Sequence, residues 1–108
     1  MVILVTAKIV KNSDKYISFS CKGHSGYADS GEDIVCSAIS MLTINTANSI
    51  MALTDSEIEP QSEDGFISWK FDDIDDKAIL LMDSLLIGLK TIEDTYSKKY
   101  LTLIIEEV

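Results

Sequence analysis

The run of apolar and small polar residues from Ile34 to Leu53 is the feature that most limits how this chain folds. Its pattern predicts one long helix that is apolar on more than one face and therefore needs cover on two sides. Ser, Thr and Asn residues interrupt the run, so we do not expect it to cross a membrane. The stretch Met1–Val10 lacks a basic segment and a small-residue cleavage site, so we expect no signal peptide and a cytoplasmic location.

The residues before this run predict a β-hairpin. Met1–Val10 is rich in β-branched residues, and Tyr16–Cys21 alternates polar and apolar side chains, which is typical of half-buried strands. Asn12, Ser13 and Asp14 between them are turn residues.

The second half of the chain predicts three more strands and one more helix. The expected elements are a strand at Thr54–Glu59 before a turn at Pro60, a strand at Gly65–Phe71, a helix at Asp75–Tyr96 and a strand at Tyr100–Glu106. A chain of 108 residues is expected to form one domain, residues 1–108. The order ββαββαβ predicts an α+β fold in which two helices pack on a largely antiparallel sheet.

Both predicted helices carry more apolar surface than one sheet can cover. On the second helix Ile79, Leu80, Leu86 and Ile87 widen the apolar stripe, and Gly88 would allow a close helix approach. Since exposed apolar patches of this size mark interfaces, we expect a homodimer.

The charge of the chain restricts its partners. The formal net charge is −9, which argues against direct nucleic-acid binding, because phosphate contacts need clustered Lys and Arg. Half of the 18 acidic residues lie between Asp55 and Asp76, where Lys70 is the only base. This acidic segment is either a solvated face or a negative field that attracts a basic protein or peptide.

A histidine and a cysteine form the candidate catalytic pair. With Asp33 as the N-cap, Cys36 would be the third residue of its helix, where unpaired N–H groups and the helix dipole stabilise a thiolate. The same N–H groups would hold an oxyanion. His24, on the preceding glycine-containing loop, would accept the proton, and Asp33 would cap the helix, orient His24, or do both.

The same residues also fit non-catalytic roles, which stay open at this point. A cysteine at an apolar helix start is often a small buried hydrophobe, and Cys21 is expected to be a core residue. Both cysteines are expected to be reduced. Gly23, Gly26 and Gly31 are typical of positive-φ turns, and no lysine follows them as in a P-loop. Cys21, His24 and Cys36 could also ligate zinc, although no fourth ligand is evident.

The segment Gly23–Ser40, GHSGYADSGEDIVCSAIS, resembles the signature of the ribosomal-processing cysteine protease (Prp) family. The Gly-His pair, the spacing to the cysteine and the intact block Asp33-Ile34-Val35-Cys36 carry the resemblance, which extends over essentially the whole chain. Ser25 and Ser37 stand where many relatives have Ala, and neither change removes a catalytic group.

The resemblance implies a function and a site. Members of the family remove a short N-terminal extension from a large-subunit ribosomal protein of the bL27 type, cleaving after an aromatic residue in a hydrophobic motif. It implies that Cys36 is the nucleophile, that His24 is its general base and that the enzyme is a homodimer. We expect no cofactor and no metal.

Several neighbours of the pair are candidates for loop and pocket roles. Gly26 and Gly31 would let the loop swing, and Tyr27 would cover a bound peptide. Ser37 and Ser40 follow the cysteine on the helix, where Ser40 would line the pocket or serve helix packing.

Two other classes of protein explain part of the pattern. A non-enzymatic acidic module that binds a basic ribosomal or assembly protein predicts that Cys36→Ala keeps full function. A metal-binding protein predicts stoichiometric zinc after purification without chelator.

Overall fold

The computed structural model describes residues 5–23, 30–96 and 100–108. Seven elements follow in the order β1, β2, α1, β3, β4, α2, β5, which confirms the α+β fold expected from the sequence. Their bounds are Val5–Asn12 (β1), Lys15–Lys22 (β2), Ser30–Leu53 (α1), Gln61–Glu63 (β3), Phe66–Lys70 (β4), Asp76–Tyr96 (α2) and Leu101–Glu107 (β5).

The five strands form one sheet in the order β3-β4-β2-β1-β5. The β1–β2, β2–β4 and β3–β4 pairs are antiparallel, as expected for a largely antiparallel sheet. The edge strand β5 follows α2 along the chain and runs parallel to β1.

One face of the sheet supplies the strand side of the core. Along β1, Val5, Ala7 and Ile9 are buried while Lys8 between them is exposed, the alternation of a strand with one covered face. The buried side chains of both helices join this face in a single hydrophobic cluster. Within this cluster the ring centroids of Phe19 and Trp69, on neighbouring strands, lie 4.7 Å apart.

The two helices contact each other closely at Gly88. A Cβ atom at this position would lie 2.7 Å from a terminal methyl carbon of Leu42 on α1. The absence of a side chain at Gly88 therefore lets α2 approach α1 of the same chain.

The prediction of a strand at Thr54–Glu59 is wrong. The Thr54 hydroxyl donates to the Ile50 carbonyl oxygen in the last turn of α1. The Ser56 hydroxyl donates to the carboxylate of Asp75, the residue just before α2. These side-chain bonds hold the segment outside the sheet. The third strand is instead Gln61–Glu63, beyond the proline.

By length and composition, residues Ile34–Leu53 of α1 could span a bilayer. In this fold 39% of that window is buried, and its buried side chains belong to the core shared with the sheet and α2. The core helix of a globular protein passes the same test, so this feature is weak evidence for a membrane span.

Candidate active site

Cys36 lies on the buried side of α1, with 8% of its surface exposed. The helix begins at Ser30, so Cys36 is its seventh residue and not the third. Asp33 is the fourth residue of the helix, and the expectation that it is the N-cap is wrong. Gly31 is also helical, so the turn expected there is wrong.

This earlier start changes how Cys36 would be activated. An α-helix leaves N–H groups without a helical partner only in its first turn. The N–H of Cys36 lies beyond them, and the influence of the helix dipole falls off within the first turn. The stabilisation of a thiolate and an oxyanion at Cys36 stays a prediction, although the structure places Cys36 further from the helix start than expected, because α1 extends through Gly31 to Ser30.

Cys36 opens onto a cavity of about 330 Å³, which we call the Cys36 cleft. Three parts of the fold build its walls: β1 and β2, the first half of α1, and the β3–β4 hairpin. The lining residues are Val5, Cys21, Gly23, Cys36, Ile39, Ser40, Thr43, Ile44, Ser62, Glu63, Asp64, Gly65, Phe66 and Ile67. The cleft combines an apolar floor with an acidic rim at Glu63 and Asp64.

A main-chain hydrogen bond joins two of these walls. The N–H of Gly23, just after β2, donates to the carbonyl oxygen of Gly65 at 2.8 Å. Both residues have positive φ, 132° and 74°, which favours glycine at each. This bond fixes where the chain leaves the sheet toward His24, and His24, Gly26 and Tyr27 lie outside the described residues.

Cys21 lies in the wall of the same cleft and belongs to the hydrophobic core, as expected. Burial, with a smaller contribution from the nearby Cys36, raises the pKa of the Cys21 thiol to about 11. At neutral pH Cys21 is therefore a neutral thiol and a poor nucleophile. The two cysteines, both within the described residues, form no disulfide bond.

Residues 5–23, 30–96 and 100–108 contain no group of three or more His, Cys, Asp or Glu side chains placed to hold a metal ion. The zinc alternative also needs His24, which lies outside this set.

Ser40 is exposed and lines the cleft, whereas Ser37 is exposed on α1 outside its lining. Two parts of the cleft were not predicted from the sequence: the opposite wall, residues 62–65, and the buried Thr43, whose hydroxyl donates to the Ser40 carbonyl oxygen at 3.1 Å. The dipeptide Asp64-Gly65 is a hairpin signal that marks the turn, but pairing of distant strands decides that it lies beside Cys36.

Comparison with known proteins assigns the family. The family model described as cysteine protease Prp matches residues 4–101. The ribosomal processing cysteine protease Prp of Bacillus subtilis is 29% identical over 101 residues, covering 86% of this chain and 90% of the relative. The protein of the same name from Staphylococcus aureus is 28% identical over 99 residues, covering 88% and 93%.

Solved structures share the whole fold. A Streptococcus mutans protein superposes with a TM-score of 0.87 at 27% identity, covering 97% of this chain and 96% of the other. The S. aureus ribosomal processing protease Prp in complex with a substrate peptide has a TM-score of 0.86 at 26% identity, covering 95% and 100%. A second S. aureus structure holds a covalently linked product peptide. The chain is a cysteine protease and belongs to the Prp family.

Proposed function

We propose that this protein removes the N-terminal extension of a large-subunit ribosomal protein of the bL27 type, with Cys36 as nucleophile and His24 as general base. The observation that carries the proposal is the Cys36 cleft: a cysteine on an apolar floor, opposite a hairpin wall, in a fold whose S. aureus relative holds a substrate peptide. Because the cleavage would serve ribosome assembly, the enzyme would act in the cytoplasm.

The chemistry is acyl transfer. Cys36 gives its proton to His24, and the thiolate attacks the carbonyl carbon of the scissile bond. The C–N bond breaks as His24 returns the proton to the departing amine, which leaves a thioester on Cys36. His24 then takes a proton from water, the hydroxide attacks the thioester, and the carboxylate product leaves as the thiol re-forms.

The shape and polarity of the cleft support a peptide substrate. Ile39 and Ile67 offer apolar surface for a hydrophobic side chain, while Glu63 and Asp64 offer negative charge to a basic one. A hydrophobic segment beside basic residues fits both features.

We also propose that the enzyme is a homodimer joined through α1. Ile34, Met41, Ile44 and Met51 are between 44% and 65% exposed, and their spacing of seven, three and seven residues places them along one side of the helix. Residues Ile34–Leu53 carry no charge, so two copies of a chain with a net charge of −9 can meet there without repulsion. Light scattering after size exclusion should give the dimer mass for the natural protein and the monomer mass for Met41→Lys; equal masses would contradict this interface.

Intact-mass spectrometry of a cleavage reaction tests the function. The purified protein is mixed with the unprocessed ribosomal protein from the same cell, and one cut near the N-terminus is expected. Cys36→Ala and His24→Ala should each lower the cleavage rate by about 1,000-fold or more. Cys21→Ala, which removes the other thiol of the cleft, is the matched control and should cleave within about threefold of the natural rate.

The same reaction separates the alternatives. A folded protein that binds the ribosomal protein tightly without cutting it, and binds equally well as Cys36→Ala, would contradict the protease and favour the acidic binding module. Cleavage that survives Cys36→Ala would assign the nucleophile elsewhere.

A further inference from the structure

A second and larger cavity, of about 650 Å³, lies on the opposite face of the sheet from the core. Its floor is formed by the cross-strand pairs Ser18–Lys70 and Ser20–Ser68 of β2 and β4, which alternate with the buried Phe19 and Trp69. The segment 57–59, which precedes β3, forms one side. We call this cavity the acidic groove.

The charges along the groove are predominantly negative. Glu57, Glu59 and Asp72 line it and are exposed. Among the described lining residues Lys70 is the one base. Three carboxylates against one ammonium group attract cations and repel phosphates, so the groove selects a basic partner over a nucleic acid.

The acidic groove and the Cys36 cleft share one lining residue. Phe66, the first residue of β4, lines both cavities. Because the two cavities lie on opposite faces of the sheet, a substrate held in the cleft would enter the groove by passing round this end of β4.

We propose that the acidic groove is an exosite that binds a Lys- and Arg-rich segment of the substrate protein outside the cleaved bond. The inference rests on the proposed function. The groove would hold the basic chain through Glu57 and Glu59, while its serine hydroxyls offer hydrogen bonds to the peptide backbone. Affinity for the whole protein would then exceed affinity for a short peptide that contains only the cleavage site.

Paired substrates and charge-matched variants test the exosite. Cleavage of the unprocessed ribosomal protein is compared with cleavage of a short peptide that spans only the scissile bond. Reversing both charges in Glu57→Lys/Glu59→Lys should raise KM for the protein about tenfold and change kcat/KM for the short peptide less than about twofold. Asp14→Lys/Asp94→Lys changes the net charge equally at exposed sites outside the groove and should leave both substrates within about twofold.

A direct binding measurement separates failure of the exosite from failure of the proposed function. A labelled Lys- and Arg-rich peptide without the scissile bond is titrated with the protein at about 0.02 and 0.15 M salt. Binding that weakens with salt and is lost in Glu57→Lys/Glu59→Lys alone supports the exosite even if no ribosomal protein is cut. Equal loss in both double variants, or no binding by the natural protein, overturns it even if cleavage is efficient.

Discussion

The C-terminal end of α1 and the cleft beside the first half of α1 differ in how they are held. At its C-terminal end, the Asp75 carboxylate accepts hydrogen bonds from the N–H of Ala78 at 2.8 Å, the N–H of Asp55 at 2.9 Å and the hydroxyl of Ser56 at 3.0 Å. The Ser56 hydroxyl in turn accepts from the N–H of Asp75 at 2.8 Å. One carboxylate thereby caps α2 and fastens the chain that leaves α1.

The first half of α1 faces a cavity instead. Cys36 lies in a cleft whose opposite wall is an exposed hairpin, and the main-chain bond from Gly23 to Gly65 extends the β2–β4 pairing into the turn of that hairpin. Side-chain hydrogen bonding thus fixes one end of the helix, whereas reactive groups and open space lie along the other. Stability and catalysis should therefore respond to different substitutions.

The largest loss of stability should follow Asp75→Ala. Hydrogen bonds from the N–H groups of Ala78 and Asp55 are the main causes that lower the pKa of the Asp75 carboxyl below its ordinary value. The contribution of the Asp75 carboxylate to the free energy of unfolding is present above the pKa that this group has in the unfolded chain. It is lost as the pH falls through the lower pKa of the folded state. We expect a clear fall in the urea midpoint at neutral pH, with kcat of the folded enzyme unchanged.

Asp76→Ala is the matched control, since this carboxylate is exposed and adjacent in sequence. It should shift the midpoint much less. Equal shifts in the two variants, or loss of kcat in Asp75→Ala, would contradict the separation of the two ends.

A smaller effect is expected at alkaline pH. Burial raises the pKa of Cys21 to about 11, and burial together with the hydrogen bond to Asp83 raises the pKa of Tyr16. The unfolded chain loses these protons first, so stability falls as the pH rises above the unfolded values. For Cys21 the loss is roughly 2 kcal/mol between about pH 9 and 11.

Urea unfolding at a series of pH values measures this loss. Cys21→Ala should remove most of the decline between about pH 9 and 11, and Tyr16→Phe should weaken it above about pH 10. A free energy of unfolding that stays constant over this pH range in the natural protein would contradict the raised pKa values of Cys21 and Tyr16.

The smallest change in stability, with a larger effect on catalysis, is expected for Gly65→Ala. Its φ of 74° costs a residue with a Cβ atom about 1 kcal/mol, and its carbonyl oxygen accepts the bond that joins the walls of the cleft. We expect kcat/KM to fall about tenfold, since misplacement of a supporting wall is costly. Gly88→Ala, which alters a helical glycine beside Leu42, is the control and should keep kcat/KM. Equal values of kcat/KM in the two variants would contradict a role of the hairpin in the site.

Local patterns predicted most of the fold. Alternation in β2, the apolar stripe of α2 and the turn residues between β1 and β2 each act within a few residues, so the order of elements is readable from sequence. The strand prediction at Thr54–Glu59 fails because the Ser56 hydroxyl and the Asp55 N–H bond to Asp75, about twenty residues away, and a local strand pattern contains no information about such a distant partner.

The site was predictable only in part. The spacing of His24 and Cys36 singles out the pair. Asp33 is a favourable N-cap and predicts a helix start there, whereas α1 continues back to Ser30 through Gly31. The hairpin wall and the acidic groove depend on the pairing of β4 with β2, which is decided by the whole sheet.

Competitive alkylation of the two cysteines tests the central claim, that Cys36 is the catalytic nucleophile. The two side chains are almost equally exposed, 8% for Cys36 and 7% for Cys21, so access alone does not distinguish them. With limiting iodoacetamide at about pH 6 and peptide mapping, we expect Cys36 to be modified at least about 100-fold faster than Cys21. Equal, slow modification of both thiols would contradict the assignment of Cys36 as an activated nucleophile.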